Sequence, residues 1–205
     1  TATLVAQVDG VRAYAGTPAD ASVVRAIGTL KAAGYTVSVM PVVLMDIATG
    51  NGLADPYGAA EQAAFPLAEK ITCHPAPGEV GTVDKTATAA AQVSAFFGGA
   101  SAADFSVAGG AVSYSGSATD WGYNRFVLHC AALIDAAGGA DDLMFGHGLG
   151  GISRVRSDSS TYPAAAALQN LLGELRDLMA ETYSGDPEIV RSIPSPTIDA
   201  LLPYR

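Results

Sequence analysis

Short apolar runs alternate with helix-patterned segments along most of this chain, and few architectures accommodate that alternation. Leu4 to Val8 reads as a short buried strand. Thr17-Pro18-Ala19-Asp20 then reads as a helix start. Thr17 would be the N-cap, Pro18 would take the first helical position, and Asp20 would sit near the positive end of the helix dipole. Val23, Ile27 and Leu30 follow at helical spacing, and Gly34 closes the segment. Tyr35 to Met45 is rich in β-branched and apolar residues, the pattern of a strand buried on both faces in a parallel sheet.

Asp46 ends that strand, and residues 46–82 read as a long irregular segment with Gly50-Asn51-Gly52, Asp55-Pro56-Tyr57-Gly58 and His74-Pro75-Ala76-Pro77-Gly78. A loop of this length inside a compact domain is usually functional or an interaction surface. A helix is expected from about Asp84 to Phe97, then a glycine-rich strand region from Phe105 to Tyr114. Ser117-Ala118-Thr119-Asp120 opens the next helix, with Tyr123, Val127, Cys130 and Ile134 on one face and Gly138-Gly139 as its stop. A strand over 141–147 runs into Gly146-His147-Gly148-Leu149-Gly150-Gly151. Tyr162-Pro163 starts the longest helix, whose stripe is Leu168, Leu171, Leu172, Leu175, Leu178 and Met179. Residues 184–205, with Pro187, Pro194, Pro196 and Pro203, read as an irregular proline-rich tail. Strand–helix alternation argues for an α/β fold with a parallel sheet and right-handed crossovers. Four such units make about half of a (β/α)8 barrel, which takes ~250 residues.

Composition removes several function classes. With 205 residues, 49% of them hydrophobic and only 15% charged, the chain has the makings of a packed core and is read as one domain over 1–183 followed by the tail. A net charge of −9 repels phosphate backbones, so no nucleic-acid partner is expected. No apolar run reaches the ~20 residues of a membrane-spanning helix, and no signal peptide is read at the start. Cys73 and Cys130 lie far apart without Cys/His ligand spacing, so no metal and no cofactor is expected. Cys130 falls on a helical pattern as a small core residue.

The residues that could carry chemistry are few. Asp46 terminates a buried strand and is the best candidate carboxylate, against a plain loop-capping role. His147 could carry a proton, but no orienting partner is evident in the sequence, so a structural histidine is favoured. His129 reads as a packed helical residue and His74 as exposed. Asp141 and Asp142 precede their strand and read as solvated. Trp121 and Tyr57 could stack on a sugar ring, although Trp121 is better read as anchoring a helix start in the core. The 146–151 glycines lack the Lys-Ser/Thr of a phosphate loop and the spacing of a dinucleotide fingerprint. No Ser stands where a nucleophile elbow would need it.

Several segments together resemble the TIM-barrel-like domain of gene transfer agent and phage tail-tip proteins, the large baseplate proteins concerned with host specificity. They are Gly16-Thr17-Pro18-Ala19-Asp20-Ala21-Ser22-Val23-Val24, Leu44-Met45-Asp46, Gly50-Asn51-Gly52-Leu53-Ala54-Asp55-Pro56, Ile71-Thr72-Cys73, and Pro75-Ala76-Pro77-Gly78. Further on come Asp84-Lys85-Thr86-Ala87, Ala91-Gln92-Val93, Ala95-Phe96-Phe97-Gly98 and Arg125-Phe126-Val127-Leu128-His129. Ala136-Ala137-Gly138-Gly139, Arg154-Val155-Arg156-Ser157, Tyr162-Pro163-Ala164 and Ala166-Ala167-Leu168 complete the series. The resemblance covers roughly residues 14–180 and keeps its order throughout.

It implies a TIM-barrel-like, glycoside-hydrolase-like β/α architecture, whole or partial, in a virion at the end of the tail. Partners would be other tail-tip and baseplate proteins in a symmetric assembly, together with host-surface glycan. Two departures bear on activity. Where the family reads Gly-Ser-Glu-Leu-Arg-Gly, this chain has Gly146-His147-Gly148-Leu149-Gly150-Gly151, which puts Gly148 at the position of the glycosidase acid/base Glu. The later segment that would hold the second carboxylate is not recognisable after Ala180. Glycoside hydrolysis generally needs two carboxyl groups about 5–9.5 Å apart. The expectation is therefore a structural, inactive domain with no catalytic residue. An active hydrolase using Asp46 with Asp120 or Asp55 is the alternative, and a glycan-binding module is the third reading. Ligand-contacting candidates are Asp46, Tyr57, Trp121 and His147.

Overall fold

A computed structural model describes residues 6–8, 11–13, 18–45 and 47–182 of the protein. In chain order the elements are β1 (Ala6–Val8), β2 (Val11–Ala13), α1 (Asp20–Ala32), β3 (Ser38–Val39), a 3-10 turn at Ala68–Lys70, and α2 (Ala87–Phe97). There follow a second 3-10 turn at Ala102–Asp104, β4 (Phe105–Ala108), β5 (Ala111–Tyr114), α3 (Tyr123–Ala136), β6 (Asp142–Leu143), α4 (Gly150–Ser153) and α5 (Pro163–Thr182). The strands form three two-stranded sheets: β1 antiparallel to β2, β3 parallel to β6, and β4 antiparallel to β5. The described residues thus mix helix and strand without closing a barrel, an arrangement compatible with part of one.

The chain folds as two compact units. The first takes its described residues from the stretch up to Val39, from Gly99–Leu143 and from Glu174 onward. The second takes Met40–Gly98 and Met144–Gly173.

In the first unit, α1 packs on α3, and α3 also packs on the β4–β5 hairpin. Val127, Leu128, Ala131, Ala132 and Ile134 of α3 are buried, as are Ile27, Phe105 and Leu143. Both helices end in the same way. Gly34 N–H bonds Lys31 O while Tyr35 N–H bonds Leu30 O, and Gly138 N–H bonds Asp135 O while Gly139 N–H bonds Ile134 O. These double closures satisfy the last carbonyls of each helix, as Gly34 and Gly138-Gly139 lead one to expect.

Several expected elements come out differently. Helix α1 starts two residues late: Ala19 is its N-cap with extended backbone, Pro18 lies outside, and Thr17 falls outside the described residues. The 35–45 strand shrinks to Ser38–Val39, with Leu44 74% exposed and Tyr35, Met40 and Val42 exposed as well. Among the described residues β3 has one sheet neighbour, β6, so burial on both faces is not achieved. The 105–114 region is an antiparallel hairpin, because Gly109 and Gly110 both take positive φ, 59° and 77°, as a tight two-residue turn requires. The expected 141–147 strand is Asp142–Leu143 alone. Asp141 and Asp142 are engaged: Asp141 accepts from Val37 N (2.7 Å) and Lys31 Nζ (3.2 Å), and Asp142 accepts from Ser38 Oγ (2.9 Å). These bonds supplement the short β3–β6 ladder.

In the second unit, Thr86 caps α2 by accepting from Ala89 N at 3.4 Å, and Ala89, Val93 and Phe97 are buried. Ala164, Leu168 and Leu171 of α5 are buried in this unit, whereas Leu175, Leu178 and Met179 are buried in the other. The apolar stripe read from the sequence is therefore real along the helix. The irregular segment is pinned through Asn51, whose Nδ2 donates to Ala48 O, Glu61 Oε1 and Gln62 O and whose Oδ1 accepts from Leu53 N. The Gln92 side chain ties His74 through its backbone N (2.8 Å) and O (3.3 Å).

Candidate functional site

The glycine corner after β6 is where an α/β barrel would place its chemistry, at the carboxyl end of a strand. Residues 144–151 of the second unit form this corner. Phe145 and Leu149 are buried on either side of an exposed His147. Gly148 adopts a φ of +74°, and a Cβ there would lie 3.1 Å from the Ala68 Cβ. Gly151 is tighter still: a Cβ would collide with the backbone carbonyls of Glu69 and Ile71 and lie 3.1 Å from the Tyr57 hydroxyl. Both glycines thus let the α4 end of the corner lie directly on the 3-10 turn at Ala68–Lys70. A glutamate at 148 would need left-handed backbone, costing ~1–2 kcal/mol, and would crowd Ala68. The residue without a side chain is the one this packing demands.

The other nominated side chains are scattered. Asp46 lies outside the described residues. Tyr57 is half-buried, with Lys70 Nζ 4.6 Å from its ring centroid. Burial raises its phenol pKa, against the lowering influence of Thr72 and Arg154. Asp55 caps the same turn, accepting from Tyr57 N at 2.8 Å. In the first unit, Asp120 accepts from Gly99 N (2.7 Å) and Gly122 N (2.8 Å). The two carboxylates nominated as partners for Asp46 are therefore both engaged with backbone N–H groups.

Trp121 immediately precedes the N-cap of α3, and 36% of it is exposed. The Arg125 guanidinium carbon lies 3.9 Å from the ring centroids of both Trp121 and Tyr114. Arg125 Nη1 donates to Asp120 O (2.7 Å) and Ser117 O (3.5 Å). Such cation–π stacking contributes ~0.5–2 kcal/mol per ring. The indole is held by a cation at the surface instead of being anchored in the core.

His129 is half-buried, with Nε2 3.1 Å from Asp20 Oδ1, which joins α3 to α1. Cys73 is buried despite its loop position, with its Sγ donating to Pro75 O at 3.4 Å. Cys130 is a free thiol that burial pushes up to about 12, so it is an inert packing residue. Among the described residues no cluster of His, Cys, Asp and Glu could hold a metal ion, and no helix is long and apolar enough to cross a membrane.

An ion pair that the sequence does not indicate lies in the second unit. Asp84, with a side chain 5% exposed, accepts from Arg156 Nη2 at 2.6 Å and Arg156 N at 2.7 Å, while Lys85 N donates back to Arg156 O. Burial opposes ionisation of this carboxyl, but the Arg156 side-chain and backbone hydrogen bonds outweigh it and hold its pKa below the ordinary value. Both partners lie in segments quoted for the family resemblance, Asp84-Lys85-Thr86-Ala87 and Arg154-Val155-Arg156-Ser157. Nothing in a spacing of this length indicates that they meet.

The segment that runs from Trp121 through α3, β6, the glycine corner and α4 into α5 is the part of the chain that resembles a known family. Residues 121–186 match the GTA TIM-barrel-like domain. This is the later part of the stretch over which the family resemblance is legible, and it includes Gly148. No curated protein sequence matches the chain.

Proposed function

We propose that this chain is a structural component of a gene transfer agent or phage-like particle, placed at the tail tip. In this reading it is a glycosidase-like domain without hydrolase activity that packs among neighbouring tail proteins and faces the host envelope. The observation that carries the proposal is the match of residues 121–186 to the GTA TIM-barrel-like domain. The inactive reading is supported by the corner at Gly148, whose positive φ and closeness to Ala68 suit glycine and strain a glutamate. It is further supported by Asp55 and Asp120, which are committed to backbone N–H groups. Tail tips are built on rotational symmetry, so the domain would be present in several copies around an axis.

The test is to tag the chain in a particle-producing host, purify the particles and locate the tag by gold labelling. Label at the tail tip is expected. Particles that assemble and transfer DNA without containing the chain would overturn the proposal.

A further inference from the structure

We propose that an uncharged apolar face of the second unit is where a second copy of this chain docks, joining two molecules through the same surface. This goes beyond the reading above, because it concerns the purified chain and names one contact surface and its occupant. From Met40 to Met45 exposure alternates residue by residue. Met40, Val42 and Leu44 face solvent, while Pro41 is buried and Val43 and Met45 are half-buried. That is the period of two of a strand, with an apolar set turned outward. Met144 is exposed as well and directly follows Leu143, whose ladder partner Val39 directly precedes Met40. Phe65 and Leu67 make a second exposed stripe, with half-buried Pro66 and buried Ala68 turned inward. The Phe65 N–H donates to Ile47 O at 2.9 Å, which holds this stripe beside the end of the first.

Three observations favour a second copy as the occupant. The first is area. The six side chains Met40, Val42, Leu44, Phe65, Leu67 and Met144 are between 37% and 74% exposed. Together these fractions equal about three whole side chains, or roughly 650 Å² at on the order of 200 Å² for each. The largest apolar patch of a monomer is usually ~300–600 Å². Two copies of this face would bury ~1,300 Å² between them, inside the ~1,200–2,000 Å² of a standard interface. The second is charge. Residues 40–45 and 63–68 include no Asp, Glu, Lys or Arg. Copies of a chain with a net charge of −9 repel one another, and along these stretches their approach meets no like charge. The third is strain. Phe65 has a φ of 47°, left-handed backbone that a bulky residue rarely adopts, and its exposure means that burial within the chain does not offset the cost. Docking the same face on both molecules closes a dimer on a two-fold axis and encloses each Phe65 ring.

Sedimentation velocity of the intact chain over a concentration series is the test. A monomer–dimer equilibrium with a dissociation constant in the micromolar range is expected for an interface at the low end of the standard size. Association should tighten between ~0.1 M and ~1 M salt, where the screening length falls from ~10 Å to ~3 Å and the two net charges repel less. Phe65→Asn, a residue type that tolerates left-handed backbone, and Leu44→Ser should each weaken the dimer about ten-fold. Both positions are exposed, so circular dichroism should show both variants folded. In the unaltered chain, peroxide should convert Met40 and Met144 to sulfoxide more slowly in concentrated than in dilute protein, as read by peptide mass mapping. If one variant does not fold, the other and the methionine mapping decide. A chain still monomeric at ~1 mM overturns the proposal. If that monomer also protects Met40 and Met144, the face is covered within the chain itself. A dimer that a folded variant leaves undiminished, or that loosens as salt is added, uses another surface and overturns the proposal equally.

Discussion

Asp84 shows how much one buried charge can matter in a chain with few of them. Its carboxylate is bonded by both the side chain and the backbone of Arg156, two charge-assisted bonds that a neutral side chain would weaken. Asp84→Asn should destabilise the protein by about 1–3 kcal/mol, the range for hydrogen bonds to a charged group, because the amide oxygen can still accept from Arg156 but the charge is lost and Arg156 retains access to water. Its pKa is depressed in the folded state, so its contribution is full above the unfolded carboxyl pKa of ~3.9 and is lost as pH falls through the lower folded value. Urea titrations at pH 7 and at pH 3 should show the gap between wild type and variant narrowing on acidification. A gap that stays constant would remove the ion pair as its cause.

Gly148 makes a second test of single-residue physics. Gly148→Glu restores the family's residue type, yet it should lower stability by ~1–2 kcal/mol through the left-handed backbone alone, with crowding at Ala68 in addition. It should also release no sugar from purified cell wall. Calorimetry and a reducing-sugar assay check the two halves, and a stable, active variant would show that the corner can host an acid.

Elements here draw their strength from different sources. The α5 helix depends on burial, since Leu171 is fully enclosed, and Leu171→Ala should cost about 2–5 kcal/mol by thermal unfolding. The β4–β5 hairpin depends instead on its turn. Gly109 and Gly110 both sit at positive φ, so replacing the pair with Ala-Ala should strain the turn by ~1–2 kcal/mol per residue. Asn-Gly in the same place should be tolerated. Hydrogen exchange of the Phe105–Tyr114 amides would distinguish them, with faster exchange in Ala-Ala only. In the sequence the 105–114 region reads as one glycine-rich strand, and the Gly109-Gly110 pair is the mark of the turn that divides it. The β3–β6 pair rests partly on side chains, with Asp141 and Asp142 making bonds that a ladder of two residues cannot supply in number.

Across the full chain, the described residues hold helices and strands in two compact units with no closed barrel, while residues 121–186 match a TIM-barrel-like family. The functional expectation at this level is mechanical and not catalytic. Incubating the protein with purified peptidoglycan should give background sugar release, and Asp46→Ala should leave that background unchanged. Release above background that disappears in Asp46→Ala would instead identify a hydrolase.

The order of the helices, the apolar stripes of α3 and α5, the glycine stops at Gly34 and Gly138-Gly139, and the family resemblance of residues 121–186 could all be read from residue order. Each of these depends on neighbours within a turn or two, or on motif order along the chain. Folding in space settled what each polar group does. Asp120 caps backbone, Asp84 finds Arg156 across 72 residues, Arg125 clasps Trp121, and Gly148 lies against Ala68. The 35–45 run is as apolar as a buried strand should be, yet much of it stays exposed. Hydrophobic pattern reports what a segment can bury, whereas burial itself requires a surface to meet it, and that surface comes from residues distant in the chain.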